Sequence, residues 1–130
     1  LAFFGMNIAG DIIARNPDVK RWYIAGHSLG GAMASSYASA HAETIEGLIL
    51  YGAYPNGDFP LERTLTVYGS LNTSVAEKID YAENVVVIEG GNHAQFGDYG
   101  EQKGDASATI SRTEQQTIAI DETIKFIFNK

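Results

Sequence analysis

At 130 residues the chain has room for one domain at most, and its 45% hydrophobic and 19% charged content is globular rather than disordered. A formal net charge of -7, with no stripe of Lys or Arg, argues against nucleic acid as a partner. There is no cysteine, which excludes disulfides, thiolate metal sites and cysteine nucleophiles, and no apolar run reaches the roughly 20 residues needed to span a bilayer.

The chain opens within a helical pattern. Leu1, Phe4, Ile8 and Ile12 recur at helical spacing up to Asn16-Pro17, which predicts an amphipathic helix that the sequence enters part-way. Residues 22–26 form a short aromatic and β-branched run, predicting a buried strand. Residues 29–41, rich in Ala, predict a helix. Further strands are expected at 47–51, 64–68 and 84–88, with a short helix at 74–81. The last helix opens on Ser111-Arg112-Thr113-Glu114, a capping box, and presents Thr117, Ile120, Ile124 and Ile127 on one face. Apolar strands alternating with helices imply the α/β class, a parallel sheet with helices on both faces. The two long connections, 52–63 and 92–108, are rich in Gly, Asn and Asp, and long loops in compact domains are often functional.

Between the first strand and the following helix stands Gly26-His27-Ser28-Leu29-Gly30. A strand that turns sharply into a helix strains the central residue and exposes its hydroxyl, and glycines two before and two after let the backbones pass. Ser28 is the candidate nucleophile. The Leu29 amide, first in the helix, is the candidate oxyanion donor, helped by the positive end of the helix dipole. His27 points away from Ser28 on so tight a turn and is expected to be structural. Of the two other histidines, His41 ends a helix, where the free carbonyls explain it. His93 follows the last strand on a loop at the carboxyl edge of the sheet, where ligands bind in such folds, and is the candidate base.

GHSLGGAMA, LYGAYP, TVYGS and IEGGNHAQFGDYG followed by ATIS together resemble the fold-5 group of bacterial α/β-hydrolases, relatives of the dienelactone-hydrolase-like enzymes. The resemblance covers essentially the whole chain, and GGNHAQFGDYG is its most specific element. It implies the carboxyl-terminal portion of an α/β-hydrolase fold, with residues 1–130 as a partial domain whose N-terminal strands and second oxyanion amide would lie before Leu1. It also implies Ser28 as nucleophile and His93 as base. The family's acid is an Asp just after the strand ending in YGS, and here the stretch reads Tyr68-Gly69-Ser70-Leu71-Asn72-Thr73. Asn72 therefore stands in the acid's place. An Asn can orient an imidazole but cannot stabilise its cation, and in a serine protease the same change lowers turnover by about four orders of magnitude.

Three readings of the acid follow. Asn72 serves as a weak third member, or Asp58 on the preceding connection supplies the carboxylate, or the chain has lost activity; the first is preferred. Glu77 and Asp80 belong to a helix expected to run away from the site. Asn92, Gln95, Asp98, Glu101 and Asp105 surround His93 without matching a calcium-loop spacing, and no phosphate-binding glycine motif is present, so neither a cofactor nor a metal is expected. Phe96 and Tyr99 either line an acyl pocket or pack the loop. The connection at 52–63 is too short for a large lid, which implies an open site. The expected function is that of a serine hydrolase acting on a small ester-like substrate through an acyl-enzyme, without nucleic acid or membrane partners in this segment. The alternative is a non-catalytic binding or scaffold protein on the same fold. One sheet edge left unpaired would be prone to self-association. Localisation stays undecided.

Overall fold

The computed structural model describes residues 2–98 and 100–129. In chain order the elements are α1 (Ala2–Arg15), β1 (Trp22–His27), α2 (Leu29–Ala40), β2 (Ile45–Tyr51), β3 (Thr64–Gly69), α3 (Thr73–Ala76), β4 (Val85–Ile88) and α4 (Arg112–Phe128). Single 3₁₀ turns occur at Leu61–Arg63 and Ala94–Phe96. The four strands pair in sequence order, β1-β2-β3-β4, and every pairing is parallel. Each return to a parallel neighbour needs a crossover, so all four strands end on the same side of the sheet. The loops at those carboxyl ends, which carry Ser28, Gly52, Asn72 and His93, are thereby gathered at one edge.

Alternation along the strands divides the core in two. Leu48 and Leu50 face α1 and α2, packing with Ala34, Tyr37, Ala38 and Phe59, and Trp22 and Ile24 of β1 join that side. Ile49, Leu65, Val67 and Ile88 face the other way, onto Ala119, Ile118, Phe126 and Ile127 of α4. The sheet is thus an α/β layer with helices on both faces, as the apolar strand pattern anticipates. Ser111 caps α4 through its hydroxyl, which accepts from the Glu114 amide at 3.0 Å.

Three local expectations are corrected. In α1 the inward residues are Ala9 and Ile13, whereas Ile8 and Ile12 are exposed. Small residues let the helix approach closely, with Gly10 facing the Tyr37 hydroxyl; Leu1 and the Phe4 side chain lie outside the described residues. In α4 the stripe facing the sheet is Gln115, Ile118, Ala119, Phe126 and Ile127, while Ile120 and Ile124 are exposed. A buried polar residue, Gln115, sets the rotation of this helix, which an apolar periodicity cannot register. Finally, α3 ends at Ala76 rather than reaching residue 81. Lys78 and Ile79 bond back only three residues, closing the turn, and Tyr81 leaves the helix path to bond the Thr66 hydroxyl at 2.7 Å.

Candidate active site

Ser28 sits between β1 and α2 at φ 59° and ψ -125°, a conformation L residues rarely adopt and one that costs about 1–3 kcal/mol. Gly26 and Gly31 make that turn sterically feasible, whereas a Cβ on Gly30, two residues after Ser28, would stand in open space. A Cβ on Gly26 would collide with the Gly30 carbonyl and the Gly31 nitrogen, and one on Gly31 would run into the Ala53 side chain. The turn is tied down by the Ser28 amide, which donates to the Tyr51 carbonyl at 3.2 Å, and by the Gly31 amide, which donates to the Ser28 carbonyl at 2.9 Å. Leu29 is the first residue of α2, so its amide belongs to the turn that has no helical acceptor.

The Oγ of Ser28 lies 3.0 Å from Nε2 of His93, and Nδ1 of His93 lies 2.7 Å from Nδ2 of Asn72. Ser28, His93 and Asn72 are therefore brought into one line, from three loops far apart in sequence. Asn72 is buried, and its neighbourhood is stitched to the His93 loop: the Ser70 amide donates to the Ile88 carbonyl and the Leu71 amide to the Gly91 carbonyl. Gly69 makes this approach feasible, since a Cβ there would strike the Gly91 backbone. Asp58, the other carboxylate considered, is exposed on a loop fastened to α2 through Asn56 and Phe59, whose amides donate to the Ser35 and Ser39 hydroxyls.

Polarity at Asn72 matters as much as distance. An amide Nδ2 only donates, so with the Asn72 amide in this orientation Nδ1 of His93 accepts and the ring proton sits on Nε2. In this arrangement His93 donates to Ser28 Oγ. With the amide turned over, Oδ1 meets a protonated Nδ1 and Nε2 is left to accept from Ser28 Oγ. The Asn72 Oδ1 on the other side accepts from the Ser74 hydroxyl at 3.1 Å.

The loop bearing His93 has little regular structure and is held by polar contacts. Asp105 spreads its two carboxylate oxygens over the amides of His93 (3.1 Å) and Ala94 (2.9 Å). Gln115, fully buried, donates to the Asn92 carbonyl at 2.8 Å and accepts from the Asn92 amide and from Gln95 Nε2. His27 donates from Nε2 to the His93 carbonyl at 2.8 Å, and the two imidazole rings lie 4.7 Å apart. Burial is the main cause that lowers the His27 pKa below its ordinary 6.5, with the nearby His93 charge adding to it against the opposing pull of the His93 carbonyl and Asp105. His27 is consequently a neutral donor at neutral pH. Phe96 packs against His27 and Tyr51, while Tyr99 lies outside the described residues.

A cleft of about 480 Å³ opens over this line of side chains. Ser28, His93 and Ser74 line it together with Leu29, Ala32, Gly52, Ala53, Tyr54, Pro55, Asn56 and Val75, without a carboxylate, ammonium or guanidinium group. Among the described residues, no cluster of three or more His, Asp or Glu side chains could hold a metal ion. No helix of the described residues is long and apolar enough to cross a membrane.

The sequence profile of the alpha/beta hydrolase family matches residues 1–117. The chain belongs to that family. No curated protein and no solved structure matches it. For this hydrolase-family chain, sequence reasoning singled out Ser28, Leu29, Asn72 and His93. It missed Gln115, Ser74 and Gly52. Gly52 turns at φ +56° and leaves space beside the ring, since a Cβ there would approach His93 Nδ1 to 3.1 Å. A glycine directly after the apolar run of β2 is the one signal that could have marked it; a glutamine inside a helix gives none.

Proposed function

We propose that the protein is a serine hydrolase of carboxylic esters, with Ser28 as nucleophile, His93 as general base and Asn72 in the acid's position. The observation that carries this reading is the strained Ser28, whose hydroxyl is aimed at His93 Nε2 from 3.0 Å beneath an uncharged cleft. Strain at a single non-glycine residue persists only where surrounding structure enforces it, and such residues cluster at active sites.

In the reaction, Ser28 Oγ attacks the ester carbonyl while His93, in the tautomer carrying its proton on Nδ1, takes the hydroxyl proton at Nε2. The Leu29 amide donates to the developing oxyanion at the N-terminus of α2. The carbonyl–alkoxy bond then breaks, and the alcohol leaves with the proton from His93. Water, deprotonated by His93, attacks the acyl-enzyme and releases the carboxylic acid, restoring Ser28. Asn72 can hold the ring through these steps once its Oδ1 is turned to the Nδ1 proton, but it supplies no negative charge to the imidazolium, so turnover should be slow. The uncharged cleft favours small neutral esters.

Asn72 also supports a second reading, in which the cleft binds such compounds without turnover. A fluorophosphonate probe separates the two. Stoichiometric labelling at Ser28, located by peptide mass spectrometry and abolished in Ser28→Ala, is expected for the hydrolase. An unlabelled, folded protein would leave the binding role.

A further inference from the structure

The hydrogen bonds at the site have a direction, and the direction begins at Ser74. The Ser74 hydroxyl donates to Asn72 Oδ1 and Asn72 Nδ2 faces His93 Nδ1, and with the amide in that orientation His93 Nε2 is the donor to Ser28 Oγ. Every donor in this chain meets an acceptor, and the result is a base that cannot accept. Rotating the Asn72 amide by 180° exchanges Oδ1 and Nδ2 with almost no change of shape. The whole chain then reverses: Nδ2 donates to Ser74 Oγ, Oδ1 accepts from His93 Nδ1, and His93 Nε2 is free to accept from Ser28. A serine hydroxyl is suited to both directions because it carries one donor and two acceptor sites.

We propose that Ser74 is a positioning residue: the group at position 74 orients the Asn72 amide, and the amide sets the tautomer of His93. This rests on the serine-hydrolase reading only for its effect on rate, not for its effect on the ring. An Asp in the acid's position would make such a selector superfluous, because a carboxylate accepts from Nδ1 whichever way it turns. With Asn72 the two amide orientations differ only in what lies at the far end. Ser74 lies at that end, it is exposed, and it lines the same cleft as Ser28 and His93. A group there that can only accept holds Nδ2 and locks the productive direction. The Ser74 hydroxyl serves either direction, and the resting one is that in which it donates.

The test uses the nitrogen-15 shifts of His93 at a pH where the ring is neutral. The ligand-free protein should show the Nε2–H tautomer. Ser74→Asp, acceptor-only and at an exposed position the fold tolerates, should move it to Nδ1–H, and Ser74→Ala should leave a mixture. With an activated ester, S74D should raise kcat about tenfold or more in the Asn72 protein and change it by a clearly smaller factor in the N72D background. An unchanged tautomer in folded S74D, or the same change of kcat in both backgrounds, would overturn the proposal. If the tautomer shifts as stated while Ser28 stays unlabelled by a fluorophosphonate, the selector stands and the hydrolase reading falls.

Discussion

The turn at Ser28 and the loop at His93 present their side chains to each other by opposite means. The Ser28 turn is held by backbone: a strand, a helix and the space opened by Gly26 and Gly31 fix one residue within a few positions of sequence. The His93 loop is held by side chains. Asp105, Gln115 and Asn72, drawn from further along the same connection, from α4 and from the turn after β3, each bind part of it. The backbone-built turn tolerates no added atom at Gly26 or Gly31, whereas a loop built from side chains can be loosened one hydrogen bond at a time.

The largest expected effect lies on the Ser28 side. Gly26→Ala drives a Cβ into the Gly30–Gly31 backbone, which cannot give way without moving α2. Overpacking of this kind should cost more than about 3 kcal/mol in denaturant unfolding, with loss of Ser28 reactivity. A loss under about 1 kcal/mol would mean the turn is softer than its geometry implies.

Gln115→Leu should come next. It leaves the Asn92 amide and carbonyl and the Gln95 side-chain amide without their partner in a buried place, a loss of about 2–3 kcal/mol. Hydrogen exchange should quicken across residues 92–95 and stay unchanged at 28–32. Equal acceleration in both regions would show that the two are one cooperative unit rather than two.

His27 bridges the two regions, and its effect should be the smallest. Its pKa is lowered in the fold, so below 6.5 the unfolded chain binds a proton that the folded chain refuses. Stability should therefore fall as pH drops from 6.5 through the lowered value, and be fully present above 6.5. Thermal unfolding of His27→Gln, which keeps a donor for the His93 carbonyl, should lose this part of the pH dependence.

The same contrast explains what the sequence made legible. The order of strands and helices followed from apolar runs buried on both faces, and Ser28 followed from glycines whose purpose is local. His93 could be placed by its position after the last strand. The supports of His93 could not, because Gln115 in a helix and Asp105 among polar neighbours look like solvated residues until the fold carries them beneath the loop. The apolar stripes of α1 and α4 misled for a related reason. Close packing there uses Ala9, Gly10 and Ala119, and small residues weigh little in a hydrophobic periodicity. Asn72 was found by comparison of position, and only the structure reveals that its amide, rather than a carboxylate elsewhere, meets the ring.

On the proposed reading, Ser28, His93 and Asn72 form one hydrolytic unit weakened by an amide where a carboxylate would serve. The most direct measurement is kcat for p-nitrophenyl acetate in the wild-type protein and in Asn72→Asp, with Ser28→Ala as the blank. A carboxylate at that position would fix the Nδ1–H tautomer and stabilise the imidazolium, so kcat should rise at least about a hundredfold and vanish with Ser28→Ala. A folded N72D protein no faster than the wild type would contradict the account.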